Sequence, residues 1–473
     1  HTPPPLSRPD RFGYAAVPSS KGPCVLDSSP LIPPMPPLLS EHAGGLRVLA
    51  SLRRNGYSAF PQRCFTQPVV SLRALGRPLV LAAGPESMQA ILTPDAGHYR
   101  RMRVGQRVLS PIVGRGLLVS EGDTWRRQRR AMAPAFTPRT VPVLAGHIAA
   151  CAERGCRNLE TSGPVDLFST MRRLALDVAA VSMFSLEIGA FDQPLRNAVT
   201  RFMTGIGTPR PSDFLLPPGT PTLLGWRRAR FRRQWVALIG RIIAARHAQA
   251  PTDAPRDLFD LMQTAFGDQG GGTTSELIDE VATMIVAGHE TTASVLFWSC
   301  LLLAQSPRWQ NEIAQEVRDK DLTPDGAAFS LPSLHVTTAV VRETLRLYPP
   351  AFMSGRETVG ETDLCGHALP DNAMVLLPFW MLHRNPALWH APAQFDPRRF
   401  LDRPDPPRFS FLPFGAGPHV CIGAQLAMTE AVLVLARLLQ DFALTLADHR
   451  PVLPVGVLST RPSHAPAFRL RRR

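Results

Sequence analysis

Residues 414–423 read Phe-Gly-Ala-Gly-Pro-His-Val-Cys-Ile-Gly, and one cysteine, Cys421, stands there between a glycine-rich approach and an apolar helix. A lone cysteine in such a place is most often a small buried hydrophobic residue, and the alternative is a thiolate that binds a metal. Gly417 and Gly423 favour the metal, because residues without a Cβ let the main chain lie close to a flat ligand. Phe414 can shield the sulfur from water. We therefore interpret Cys421 as the axial ligand of a haem iron.

A long apolar segment, about residues 275 to 306, predicts a helix that crosses the middle of the fold. It contains Ala-Gly-His-Glu-Thr-Thr at residues 287–292, where an acid followed by a hydroxyl is costly to bury. A threonine there can simply bond back to the preceding turn. Gly288 favours a functional interpretation, because glycine weakens a helix interior by roughly 1 kcal/mol and opens space for a small ligand. We interpret His289 as a hydrogen-bonded core histidine.

Two charged patterns accompany these segments. Glu343 and Arg346 stand three residues apart in a predicted helix and can pair on one of its faces, and Arg399 follows later in the chain. Trp125 and Arg129 stand four residues apart within a run of arginines, which without the tryptophan would be typical of a solvated basic face.

The cysteine segment, Phe-x-x-Gly-x-x-x-Cys-x-Gly, resembles the haem-binding loop of the cytochrome P450 family, the haem-thiolate monooxygenases. The Ala-Gly-His-Glu-Thr segment resembles the oxygen-activation motif of that family. The Glu343-x-x-Arg346 pair together with Arg399 resembles the family's structural triad. Trp125 and Arg129 resemble its Trp-x-x-x-Arg helix. The four motifs follow the family's order. The resemblance implies a mainly α fold with a small β region, a triangular single domain that holds haem between the long central helix and the final helix.

The resemblance also implies the roles of individual residues. Glu290 and Thr291 would be catalytic and relay protons to dioxygen, whereas the triad of Glu343, Arg346 and Arg399 would serve folding and haem retention. The cofactor would be haem b, iron protoporphyrin IX. The residues expected to bind its propionates are Trp125, Arg129, Arg356 and His419. The loop that surrounds the iron is expected to contain Phe414, Gly417, Gly423 and the metal ligand Cys421.

The expected reaction is the insertion of one oxygen atom from O2 into an organic substrate. Residues expected to line its pocket are Ala287, Thr291, Phe352, Met353 and the connection 98–120, whose apolar character predicts a fatty acid, terpenoid or steroid. No flavin or iron-sulfur motif is visible, so we expect electrons from a separate protein of the ferredoxin, flavodoxin or flavin-reductase type. A peroxide-driven peroxygenase of the same fold and a non-catalytic haem sensor are alternatives, but neither needs the Glu290–Thr291 pair.

The formal net charge is +14, and only Lys21 and Lys320 among the basic residues are lysines. This bias is typical of a GC-rich genome, which weakens a functional interpretation of the charge. Nucleic-acid binding is the alternative, but no helix-turn-helix or zinc-finger spacing accompanies the scattered arginines, so we expect no nucleic-acid partner. His419 with Cys421 could suggest zinc, but no second pair has zinc spacing.

Seven cysteines without a Cys-x-x-Cys pair argue against a disulfide framework and favour a reducing compartment. No signal peptide or membrane span is visible, since the longest apolar run is too short to cross a bilayer. We therefore expect a soluble, cytoplasmic and bacterial enzyme. Residues 1–40 are proline-rich and predict an extended N-terminal arm, and residues 41–473 a single haem-thiolate monooxygenase domain.

The remaining pattern predicts a hairpin at 69–75 and 78–83, then a short helix, then an irregular connection at 98–120. Apolar periodicity predicts helices at about 123–133, 140–160, 166–186, 191–206, 222–249, 307–319, 335–347 and 422–440. Four glycines within 267–272 predict a surface turn; a phosphate cradle is the alternative, but no strand leads into it and no lysine follows.

Overall fold

The computed structural model describes residues 30–93, 97–137, 140–159, 161–185, 189–216, 220–249, 257–266, 273–402 and 406–473. The helices are α1 Gly45–Arg54, α2 Pro85–Leu92, α3 Arg103–Val113, α4 Gly122–Met132, α5 Val141–Arg157, α6 Leu167–Phe184, α7 Asp192–Arg201, α8 Pro211–Leu215, α9 Leu223–His247, α10 Leu258–Phe266, α11 Thr274–Ala304, α12 Pro307–Val317, α13 Ala327–Ser330, α14 His335–Leu347, α15 Phe379–Leu382, α16 Arg398–Leu401 and α17 Ala424–Asp441. The strands are β1 Val69–Ala74, β2 Arg77–Ala82, β3 Tyr99–Arg101, β4 Ser354–Thr358, β5 Thr362–Leu364, β6 His367–Leu369, β7 Met374–Leu377, β8 Phe442–Leu446, β9 Pro454–Gly456, β10 Thr460–Pro462 and β11 Phe468–Arg472. The fold is therefore mainly α with a small β region, as the sequence predicted.

Helix α11 is the centre of the molecule. It begins at a capping box, in which Thr273 Oγ1 accepts the Glu276 N–H at 3.2 Å and Glu276 Oε2 accepts the Thr273 N–H at 3.0 Å. Most residues between Leu277 and Leu303 are buried, because α6, α14 and α17 pack around the helix. With 31 residues it is the longest helix among the described residues.

One mixed sheet has the strand order β1-β2-β7-β4-β3. β1 and β2 form the predicted antiparallel hairpin, β2 runs parallel to β7, and β4 pairs with β7 and β3 in the antiparallel sense. The register places Arg101 on β3 directly opposite Arg356 on β4. Like charges in this position repel each other, so the pair marks a place where negative charge is needed. The pairs β5–β6, β8–β11 and β9–β10 complete the β region.

The connection 98–120, predicted to be irregular, contains β3 and the helix α3, so that prediction was wrong. Its end is fastened to α11: Asp279 Oδ2 accepts the Arg115 N–H at 2.8 Å, and both oxygens of Glu280 accept the Leu117 N–H at 3.0 and 3.1 Å. Gly114 has φ +58°, and a Cβ there would lie 2.1 Å from the Asp279 carboxylate. Gly114 therefore serves a tight turn against α11, and Gly116 packs against Thr283 of the same helix.

Most predicted helices lie within a few residues of their observed bounds. The predicted helix 191–206 ends as α7 at Arg201 and continues as one π-helical turn, Phe202–Ile206. Helix α10 was not predicted. Residues 30–40 form no helix, whereas residues 1–29 and the glycine turn 267–272 lie outside the described residues. The domain division at residue 40 stays a prediction.

Among the described residues, one helix, α11, is long and apolar enough to cross a membrane, but 83% of its most apolar window is buried inside the protein. This burial is typical of a core helix. The six cysteines that the structure describes are all free, as expected from their spacing. A cytoplasmic location stays a prediction.

Candidate active site

The cysteine loop is a compact turn ahead of α17. The Cys421 N–H donates to Phe414 O at 2.9 Å, and the Val420 N–H donates to Gly417 O at 3.1 Å. Gly417 has φ +71°, and a Cβ there would lie 1.6 Å from Leu92 O at the end of α2. Only glycine fits at this position, which brings the loop against α2 and leaves the side chain of Cys421 exposed.

Protein atoms nevertheless surround the sulfur. Burial raises the pKa of the Cys421 thiol, and the Gly423 N–H and the Arg129 guanidinium act in the opposite direction. Arg129 also donates from Nη1 to Val420 O at 2.9 Å, which ties α4 to the loop. Cys421 therefore faces an open space within the protein, next to a donor and a positive charge that favour its thiolate.

A basic cluster adjoins the loop at His419. The His419 ring lies 4.1 Å from the Trp125 ring, and its Nδ1 lies 2.9 Å from Arg101 Nη2. The pKa of His419 falls to about 3 because it is buried and because Arg101, Arg356 and Arg129 surround it with positive charge. The ring is therefore neutral, and Nδ1 accepts the hydrogen bond from Arg101.

The positive charge of this cluster exceeds its negative charge. Burial lowers the pKa of Arg101 to about 10, with the facing Arg356 acting in the same direction, and burial also lowers the pKa of Arg356. The carboxylate found beside them is Glu121, whose Oε1 lies 3.4 Å from Arg101 Nε. Arg101, Arg129 and Arg356 against one carboxylate form a site suited to a ligand with two negative groups.

Helix α11 presents a partly open stripe of residues toward one side. Ala287, Gly288 and Thr291 are half-buried within a segment whose other residues, from Val281 to Leu303, are buried. Thr291 Oγ1 donates to Ala287 O, the bond to the preceding turn that the sequence left open as an alternative. The hydroxyl oxygen keeps its lone pairs for a further donor.

Glu290 is 4% exposed and points away from that stripe. Its Oε1 accepts from Arg172 Nη2 on α6 at 2.7 Å, and its Oε2 accepts from Arg461 Nη2 on β10 at 2.9 Å. Burial raises the pKa of Glu290, but the charges of Arg461 and Arg172 outweigh it, so the net pKa lies below the usual value. Glu290 is therefore an ionised carboxylate held by two arginines, and to reach Thr291 it has to turn.

The neighbouring His289 is fully buried, and its ring contacts the main chain of Arg172 on α6, which acts to raise its pKa. Its position is that of a core histidine, as the sequence predicted. Burial lowers the pKa of His289 to about 4, so that the ring is neutral.

The Glu-x-x-Arg pair and the distant arginine meet in the core. Arg346 donates from Nε to Glu343 Oε2 at 2.7 Å and from Nη2 to Oε1 at 2.8 Å, and both side chains are fully buried. Arg399 Nε donates to Glu343 Oε1 at 3.3 Å, and the Asp396 N–H donates to the same oxygen at 2.8 Å. The remaining donors of Arg346 reach the main-chain oxygens of His383, Pro392 and Gln394. This cluster joins α14 to the segment that precedes the cysteine loop.

A sequence profile of the cytochrome P450 family matches residues 48–463, which is most of the chain. The chain belongs to the cytochrome P450 family. As a cytochrome P450, it is a haem-thiolate monooxygenase, an oxidoreductase that holds haem between α11 and α17.

Curated and solved P450s agree with this assignment. The chain is 33% identical over 389 residues to the cyclooctat-9-en-7-ol 5-monooxygenase of Streptomyces melanosporofaciens, covering 78% of this chain and 83% of that protein. It is also 33% identical to cyclooctatin synthase of the same organism, covering 83% of each protein, and 29% identical to a cytokinin hydroxylase of Arabidopsis thaliana, covering 80% of this chain and 76% of that one. Retinoic acid-bound cyanobacterial CYP120A1 superposes with a TM-score of 0.77 at 25% identity, covering 93% of this chain and all of that one.

The residues of this P450 fit the haem that the family binds. The loop places an exposed cysteine beside glycines whose main chain can approach a flat ring, and the excess of arginine charge at His419 matches two propionates. The sequence did not identify Arg101 as part of the propionate site. Two adjacent arginines, Arg100 and Arg101, within the 98–120 connection could have suggested a basic site. Only the pairing of β3 with β4, however, places Arg101 beside Arg356. Arg172 and Arg461 were missed as well, because they lie far from Glu290 in sequence.

One residue expected to line the pocket, Phe352, packs against the core. Phe352 is 3% exposed and stacks on Tyr57 with ring centroids 5.0 Å apart. A Cβ at Gly56 or Gly456 would lie 2.2 or 2.6 Å from the Phe352 ring, so this ring fills a slot between two glycines. Phe352 is therefore a core residue of this P450, whereas the neighbouring Met353 is only half-buried.

Proposed function

We propose that this P450 oxygenates a hydrophobic substrate of the fatty acid, terpenoid or steroid class, with electrons from a separate ferredoxin, flavodoxin or flavin reductase. The observation that carries the proposal is the partly open stripe Ala287, Gly288 and Thr291, which is apolar apart from one hydroxyl. A pocket bounded by such a stripe and by Met353 offers few hydrogen bonds to the polar groups of a substrate, so it favours a substrate with a largely apolar surface. The relatives named for cyclooctat-9-en-7-ol and retinoic acid act on or bind largely hydrocarbon molecules.

Cys421 is the proposed thiolate that would hold the haem iron, and Phe414, Gly417 and Gly423 belong to the loop that surrounds it. Trp125, Arg129, Arg356 and His419 are the proposed propionate partners, and Arg101 is proposed to join them because it lies beside Arg356 and His419. When haem is bound with a thiolate ligand, the electron density donated by sulfur favours cleavage of the O–O bond. The residues of the cluster would then have a positioning role, because negatively charged propionates would offset the repulsion between Arg101 and Arg356.

Glu290 and Thr291 are proposed to deliver protons to the substrate cleft. Thr291 presents its hydroxyl oxygen at the open stripe, and Glu290 lies at the adjacent position, held by Arg172 and Arg461. Arg172 is the firmer anchor, since its Nη2 also donates to Thr200 Oγ1 at 2.8 Å. Release of Arg461 would let the carboxylate turn toward Thr291 while Arg172 holds it. This acid–hydroxyl pair favours a monooxygenase over a peroxygenase or a sensor.

The electron-donor protein is proposed to contact this P450 through an acidic surface. Arg126 and Arg130 are exposed on α4, the helix that also carries Trp125 and Arg129. Complementary charge on a partner would speed its encounter with this surface.

The substrate class can be tested by titrating the purified holoenzyme with four probes and recording the haem spin-state shift. Palmitic acid, retinoic acid and progesterone represent the three proposed classes, and isopentenyladenine represents a polar, cytokinin-like substrate. We expect a shift with at least one apolar probe and its conversion to a mono-oxygenated product by mass spectrometry. A shift with isopentenyladenine alone would contradict the proposed class.

A further inference from the structure

His383 lies between the buried triad and the cysteine loop and contacts both. It follows α15 directly and is fully buried. Arg346 Nη1 donates to His383 O at 2.9 Å, and His383 Nε2 accepts the Leu412 N–H at 2.8 Å. One residue therefore joins the Glu343–Arg346 pair to the main chain that leads into the loop.

The direction of the second bond fixes the state of the ring. A main-chain N–H can only donate, so Nε2 carries no proton and the proton of the neutral ring is on Nδ1. Burial and the charges of Arg346 and Arg384 lower the pKa of His383 to about 3. The main chain of Arg346 also contacts the ring and acts to raise this pKa, whereas the bond from the Leu412 N–H is the contact by which the side chain reaches the cysteine loop.

Leu412 passes this constraint on to the cysteine. Leu412 O accepts the Gly415 N–H at 3.1 Å, and Phe414 O accepts the Cys421 N–H at 2.9 Å. Pro413 lies between these two bonds and restricts the backbone further. The first half of the loop is therefore held through His383, whereas its second half is held by Arg129 on Val420 O.

We propose that His383 is a positioning residue for Cys421, which uses the acceptor Nε2 to fix the start of the haem-ligand loop relative to the triad. The proposal rests on the proposed role of Cys421 as the axial ligand. In this proposal the triad acts on the cysteine loop through two hydrogen bonds, from Arg346 to His383 O and from the Leu412 N–H to His383 Nε2.

Two variants of nearly equal size isolate the acceptor. His383→Met removes it and stays apolar, whereas His383→Gln supplies Oε1 to the Leu412 N–H. The exposed His390, seven residues further along the chain, provides the matched control His390→Met. Each holoenzyme is reduced and exposed to carbon monoxide, and the fraction of the complex with the red-shifted Soret band of thiolate ligation is recorded. Haem loss is followed by transfer to apomyoglobin.

We expect His383→Met to lower the thiolate-ligated fraction and to speed haem loss about tenfold, as removal of a ligand's supporting bond commonly does. His383→Gln and His390→Met should resemble the parent protein. Equal spectra and haem loss for His383→Met and His390→Met would overturn the proposal, and so would equal defects in His383→Met and His383→Gln. If instead Cys421→Ser kept the thiolate spectrum, the proposed ligand itself would be wrong.

A measurement on the unsubstituted protein covers the case in which His383→Met does not accumulate as holoenzyme. Amide hydrogen exchange should show the Leu412 N–H to be as strongly protected as the Cys421 N–H, because both are bonded in the loop. Fast exchange at Leu412 together with slow exchange at Cys421 would overturn the proposal.

Discussion

The substitution Glu280→Gln tests how α11 holds the chain between α3 and α4. Glu280 is fully buried, and the hydrogen bonds that the structure gives its carboxylate come from the Leu117 N–H, at 3.0 and 3.1 Å. Burial raises the pKa of Glu280 to about 7, the Leu117 N–H lowers it, and the neighbouring Asp279 and Glu276 raise it further. Glutamine has nearly the same shape and can accept the same N–H, but it never ionises.

The sign of the effect follows from the proton balance. Between the ordinary pKa of 4.5 and about 7, the folded protein holds a proton on Glu280 that the unfolded chain has lost. The contribution of Glu280 to the free energy of unfolding therefore falls as the pH rises through this window and is constant above it. The gap between the two pKa values corresponds to about 3 kcal/mol of stability. Glu280→Gln should abolish this pH-dependent fall in stability.

The free energy of unfolding of parent and variant is measured in urea at about pH 5 and about pH 8. The variant-minus-parent difference at one pH is then subtracted from that at the other, so that any pH-independent effect of the amide cancels. We expect the variant to gain about 2 to 3 kcal/mol relative to the parent between these two values of pH. Glu312→Gln is the control, because the Glu312 side chain is 45% exposed in a surface pair with Arg308. A gain that is the same at both values of pH would refute the reasoning.

Three further predictions concern function and the core. Thr291→Ala should retain haem but divert reducing equivalents to hydrogen peroxide; product formation that stays fully coupled to electron consumption would show that this hydroxyl is not needed for proton delivery. Glu343→Gln should cost about 3 to 5 kcal/mol in urea unfolding, because it leaves buried arginines without their carboxylate. A cost no larger than that of Glu312→Gln, which should stay below about 1 kcal/mol, would argue against that role. Replacing Arg126 and Arg130 by Gln should slow reduction by an acidic ferredoxin and weaken its dependence on salt, and unchanged stopped-flow rates would exclude this surface as the docking site.

Much of the helical framework could be predicted because it depends on local pattern. The apolar segment that became α11 ends within two residues of its predicted bounds, and the hairpin of β1 and β2 was readable from a two-residue turn. The connection 98–120 could not be read in the same way. Its order depends on Gly114 and Gly116, which fit against Asp279 and Thr283 on a helix more than 150 residues later.

The candidate site shows the same division. Motif spacing singled out Cys421, Glu290, Thr291 and the Glu343–Arg346 pair, because each depends on residues close together in sequence. The distant Arg399 was assigned only through the family resemblance. Arg101, Arg461 and His383 act through contacts between segments that only the folded chain brings together. The packing of Phe352 could not be predicted for the same reason, since its slot is formed by Gly56 and Gly456 near opposite ends of the chain.

The most direct test of the central claim is the spectrum of the reduced, carbon monoxide-bound protein, compared between the parent and Cys421→Ser. The exposed Cys365 provides the control Cys365→Ser. We predict that the parent and Cys365→Ser show the red-shifted Soret band of thiolate-ligated haem and that Cys421→Ser lacks it. A thiolate spectrum that survives in Cys421→Ser would contradict the assignment of Cys421 as the haem ligand.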